Sequence, residues 1–137
     1  MKKLLGLAAI VLCITACSSD DNTKTPSVNL NQLNKRWYYV ATWVGGQKTD
    51  HKHEACGKDY LEFLDGGVAK DVDIFDCQKD PDVTTGTYAV DAGTNKLTTV
   101  LDGETIIYTI NKLNSKELEA ETTFNGLKIG YVFTSTP

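Results

Sequence analysis

From about residue 37 to residue 135, apolar side chains fall largely at every second position. They sit in short runs rich in Val, Ile, Thr, Tyr and Phe, punctuated by Gly, Asp and Asn. Such runs with turn residues between them mark an all-β sandwich or barrel. Helical spacing is confined to Leu30 to Arg36, where Leu30 and Leu33 are placed to face inward from one helical turn. The pattern predicts eight strands, over 37–44, 59–64, 68–75, 85–91, 96–101, 104–111, 116–124 and 127–135. All connections are short except the first, Gly45 to Lys58. Eight consecutive antiparallel strands after a short N-terminal helical turn predict an up-and-down barrel, which removes its own edges.

Register follows from the turns, because residues facing each other across an antiparallel turn have a constant index sum. Asn125-Gly126 is a two-residue hairpin turn in which both positions tolerate positive φ. It sets Phe124 against Leu127, Thr122 against Ile129, Ala120 against Tyr131 and Leu118 against Phe133, all on one face. Glu117, Glu119, Glu121 and Lys128 take the other face, so this hairpin is dry on one side and wet on the other. Asp102-Gly103 sets Thr99 against Ile106 and Leu97 against Tyr108. The turn at Gly93-Thr94 sets Val90 against Leu97 and Tyr88 against Thr99. Two turns thus assign the same inner face to 96–101. A turn at Gly66-Gly67 gives a sum of 133, which Cys56 and Cys77 also satisfy, placing them opposite each other at a spacing a disulfide bridges. The same register opposes Glu62 to Asp71, an unfavourable like-charge pair, and a bulge in 68–75 is expected to relieve it.

Upstream of the barrel the chain changes character. Lys2 and Lys3 precede an apolar run from Leu4 to Ile14, too short for the ~20 residues of a bilayer span and therefore read as a signal peptide, residues 1–16. Its end, Ile14-Thr15-Ala16-Cys17, resembles a bacterial lipobox, which implies acyl chains (palmitate and similar) on Cys17. The alternative is an ordinary secretory signal. Residues 17–31 are polar and read as a flexible tether, with 32–137 as the domain. About a dozen such tether residues reach roughly 20 Å. Ser18-Ser19-Asp20-Asp21 is similar to the acidic export tag of Bacteroidota-type surface lipoproteins. It implies an outer-membrane protein exposed at the cell surface, the alternative being one that faces the periplasm.

Charge narrows the partners. The chain has 14 basic and 18 acidic residues, scattered without a basic patch, which argues against nucleic acid and against electrostatic docking on anionic lipid. The expected membrane contact is through acyl chains, since two or more anchor stably. With Cys13 in the leader and Cys17 acylated, Cys56 and Cys77 remain for a disulfide in an oxidising compartment.

The order of helical turn, Trp37, strand, Cys56, Asp65-Gly66, Cys77 and Gly86-Thr87-Tyr88 resembles the lipocalin-like domain of Bacteroidota-type outer-membrane lipoproteins, over about residues 30–135. The resemblance implies a lipocalin-like barrel.

The inward-facing side chains suggest a site for a small apolar ligand lined by Trp37, Tyr39, Tyr88, Ile106, Tyr108, Ile129, Tyr131 and Phe133, with tyrosine hydroxyls near the mouth. The competing reading is that these residues fill the barrel, which at eight strands is just wide enough for either. The protein would then be a structural or interaction module, acting through its loops on a protein partner as an inhibitor or accessory. His51 and His53, two residues apart, could share a face and hold a divalent metal with Asp50 or Glu54; the plainer reading is a solvated loop. No catalytic constellation is legible, so a non-enzymatic protein without cofactors is expected.

Overall fold

The computed structural model describes residues 28–137. The leader, the lipobox Cys17 and nearly all of the tether lie outside the described residues. Leu30–Gln32 form a 3-10 turn, and nine strands follow: β1 Arg36–Val44, β2 Gln47–Asp50, β3 Tyr60–Leu64, β4 Val68–Asp73, β5 Asp82–Asp91, β6 Lys96–Leu101, β7 Glu104–Leu113, β8 Glu117–Phe124 and β9 Leu127–Thr134. Each of β3 to β9 pairs antiparallel with the next, and β1 pairs with both β3 and β9. The result is a closed, all-β, eight-stranded up-and-down barrel of lipocalin-like architecture. The ninth strand, β2, lies in the segment read from sequence as the long first connection. It folds back on the outer half of β1, setting Ala41 against Asp50 and Val44 against Gln47.

The three later hairpins keep the registers predicted from their turns. Leu118 faces Phe133, Leu97 faces Tyr108, and Val90 faces Leu97. Asp102 and Asn125 take φ of 49° at the turn positions that demand it. The β3–β4 hairpin differs by one residue. Leu64 pairs with Val68 around a three-residue turn, so Glu62 faces Lys70 and Leu61 faces Asp71. The expected like-charge pair does not form, and the β3–β4 and β4–β5 ladders run unbroken. Register shifts occur instead between Tyr39 and Ala41 and between Ile110 and Lys112. Cys56 and Cys77 are bonded, with Cα atoms 5.5 Å apart. They do so from the loops flanking β3 and β4, not from within the ladder.

The two ends of the barrel are unlike. At one end the 3-10 turn packs over the opening. Trp37 is fully buried and donates its indole N–H to the Leu33 carbonyl at 2.8 Å. Asn34 bonds Asp65 at 2.6 Å, and the Tyr88 hydroxyl donates to Asn34. Val28 and Leu30 pack on the same core, so the folded unit takes in residues that the sequence reading left in the tether. Beneath the turn, Leu61, Phe63, Leu97, Leu118, Ala120 and Phe133 fill the floor around a gap of only about 10 Å³. The turns Gly45-Gly46, Asp102-Gly103 and Asn125-Gly126 lie at the other end, where none of the described residues forms such a plug.

Candidate functional site

The eight expected ligand-facing residues separate into three levels. Trp37, Tyr88 and Phe133 belong to the closed end and the packed floor, where Trp37 and Phe133 are buried and the Tyr88 hydroxyl donates to Asn34. Tyr39, Tyr108 and Tyr131 form a layer above the floor. Ile106 and Ile129 line the rim.

At the rim the wall is split. β7 pairs with β8 only from Thr109 opposite Glu121 down to Leu113 opposite Leu118. Above that, residues 104–108 pair only with β6, and 122–124 only with β9. The Thr122 hydroxyl spans the gap by donating to the Ile107 carbonyl at 2.8 Å. The cleft between the two hairpins measures about 510 Å³ and is lined by Ile106, Ile107, Thr122, Phe124, Ile129 and Tyr131. Ile107 is 55% exposed and Phe124 65%. Strand parity alone put Ile106 and Phe124 inside; the splay leaves both open to solvent.

The tyrosine layer surrounds one acid. Asp71 has the parity of the buried Ala69 and accepts from the Tyr39 hydroxyl at 3.2 Å. The Tyr39 ring packs on Phe133 and stacks on His51, and Tyr108 meets Tyr131 edge-on at 5.9 Å. Burial pushes the Asp71 carboxyl up; the Tyr39 hydrogen bond opposes this, while nearby Asp73 and Asp59 add to it. Burial pushes Tyr108 up to about 12, and Tyr39 well above its usual range. Thr99, only 1% exposed on the same inner face, has its hydroxyl near the Tyr108 phenol but in no close hydrogen bond.

His51 and His53 do come together, but with Asp59, not with Asp50 or Glu54. The candidate ligand atoms of the three lie within 4.8 Å of one another. Hydrogen bonding accounts for the arrangement. His51 Nε2 sits 2.5 Å from Asp59 Oδ2, and the Ile74 N–H donates to Asp59 Oδ1. His53 Nε2 donates to the Tyr39 carbonyl at 2.7 Å, so its Nδ1 is left as the acceptor of the Asp59 N–H at 3.1 Å. His53 Nδ1 also lies 3.7 Å from Asp59 Oδ2. A metal on His53 would have to displace a backbone bond. Burial raises the Asp59 carboxyl, but the bonds from His51 and Ile74 outweigh it and leave the carboxyl below its usual value. The cluster ties the 51–59 loop to the 74–81 loop beside the disulfide.

A second groove, of about 480 Å³, runs along the outer wall where Trp43 lies against Gly130 beside Glu119, Glu121 and Lys128. The sequence did not point to this groove or to Asp59, and it set Asp71 opposite Glu62 rather than beside Tyr39. Asp71 left a signal, an acid at the inward parity of Ala69. No protein-family profile matches the chain, and no curated protein is significantly similar to it.

Proposed function

We propose that the protein is a lipid-anchored, non-enzymatic member of the lipocalin-like envelope lipoproteins it resembles, and that it binds a small apolar ligand at the open end of its barrel. The cleft between the β6–β7 and β8–β9 hairpins carries this reading. Its volume lies within the range of small-molecule sites, and it presents isoleucine, phenylalanine and tyrosine with threonine hydroxyls, edged by the charged pair of side chains Lys96 and Glu121. The ligand enters through the split wall and rests on the packed floor. Acyl chains on Cys17 hold the domain at the outer membrane, and the acidic Ser18-Ser19-Asp20-Asp21 run favours the cell surface.

The test is binding of the neutral dye N-phenyl-1-naphthylamine to the chain from residue 17 onward carrying Cys17→Ala. Fluorescence rises with the wild-type cleft, and Phe124→Asp or Ile107→Asp weakens binding about tenfold, since each replaces apolar contact by charge. Both side chains are mostly exposed, so the barrel survives either change. Equal binding by variants and wild type removes the cleft from consideration. In cells, Cys17→Ala moves the protein from the membrane to the soluble fraction; unchanged fractionation removes the anchor.

The filled floor favours a second reading, an interaction module working through its loops. Trp43 and Val44, exposed beside the Gly45-Gly46 turn, would then meet the partner. Absence of dye binding by the wild type selects it.

A further inference from the structure

A carboxylate inside a barrel is costly unless a cation or several hydrogen bonds compensate it. Asp71 has one side-chain hydrogen bond, from Tyr39. None of the ion pairs among the described residues includes it. The groups that face it are Tyr39 from β1, Asp59 from the segment before β3, Asp73 further along β4, Tyr108 from β7 and Tyr131 from β9. Every one of these is neutral or acidic. Among the described residues no cation pairs with Asp71 directly: His51 and His53 are engaged with Asp59, and Lys96 lines the cleft, where it bonds Thr109.

A second observation points the same way. The Thr99 hydroxyl, buried on the inner face, has the Tyr108 phenol as a neighbouring polar group but makes no close hydrogen bond. Buried hydroxyls are nearly always satisfied, and an orphan calls for an explanation. Tyr131 joins this layer to the rim, for it lines the cleft and its phenol feels the Asp71 charge.

We propose that the ligand is an amphiphilic amine, whose apolar part lies in the cleft against Ile106, Ile129 and Phe124 while its ammonium group pairs with Asp71 among the rings of Tyr39, Tyr108 and Tyr131. This rests on the cleft reading above and adds the identity of the polar end. An ammonium supplies the missing counter-charge, donates to the phenol and Thr99 oxygens, and gains from the faces of the tyrosines. A fatty acid would bring a second negative charge to the same place.

Calorimetric titration of the chain from residue 17 carrying Cys17→Ala, with dodecylammonium, dodecanol and dodecanoate below their aggregation limits, tests it. Dodecylammonium binds about tenfold tighter than dodecanol, and dodecanoate binds weakest. Asp71→Asn abolishes the preference for the amine and leaves dodecanol unchanged. In the wild type the preference grows as pH rises through the titration of Asp71, a measurement that needs no variant to fold. Equal binding of amine and alcohol, or a preference that survives Asp71→Asn, overturns the proposal while leaving the cleft intact. Failure of all three ligands to bind overturns the proposal and the cleft reading together.

Discussion

The Trp37 indole N–H and the Leu33 carbonyl, 2.8 Å apart, close one end of the barrel. The bond locks the 3-10 turn over the apolar floor and satisfies the one polar atom of a fully buried ring. It is the reason the turn behaves as part of the core.

Trp37→Phe should therefore cost about 1–3 kcal/mol, because it removes the donor while keeping most of the ring. Trp37→Ala should cost about 3–5 kcal/mol, with a cavity added to the loss. Urea denaturation of both variants measures the difference. If Trp37→Phe is neutral, the turn is not held by this bond.

The Cys56–Cys77 bridge closes a loop with a sequence separation of 21. Cys56→Ser should lower stability by about 3 kcal/mol, a drop of several degrees in melting temperature for a domain of this size. Reducing agent should do the same to the wild type and nothing further to the variant. An unchanged melting temperature would mean the loops are held without the bridge.

Asp71 and Asp59 should respond to pH with opposite sign. Burial raises the Asp71 carboxyl, so between its unfolded and folded values the folded state binds more protons and stability falls as pH rises. Asp71→Asn should thus raise the melting temperature at pH 7 and leave it unchanged near pH 3. For Asp59, burial is outweighed by the bonds from His51 and Ile74 and its carboxyl is lowered. Its contribution is present above the ordinary aspartate value and fades as pH falls through the lowered one. Asp59→Ala should cost about 2 kcal/mol at pH 7, with the loss shrinking in acid. Melting curves across pH for both variants check the two signs.

Gly86 of β5 lies against the backbone of β6 at Val100 and Leu101. A Cβ there would stand 1.8 Å from the Val100 carbonyl oxygen, a backbone atom that no side-chain motion can move aside. Gly86→Ala should lose about 1–3 kcal/mol or more, as overpacking does, and chemical denaturation reads it. A wild-type midpoint would mean the two strands separate there without cost.

What the sequence determined by itself was everything governed by neighbours a few residues apart. Alternation fixes which face of each strand is apolar, and Asp102-Gly103 and Asn125-Gly126 demand turn geometries that lock their ladders. The closed barrel, the inner positions of Leu97, Ile110, Leu118 and Phe133, and the partnership of Cys56 with Cys77 were therefore legible in advance. The β3–β4 register slipped by one because a Gly-Gly pair permits a three-residue turn as readily as a two-residue one. Tertiary structure alone decided how far β7 and β8 stay together, that the 51–59 loop hands its histidines to Asp59, and that Asp71 of β4 meets Tyr39 of β1. Those relationships depend on where strands distant in the chain come to rest once the sheet twists and closes, and no local spacing encodes that.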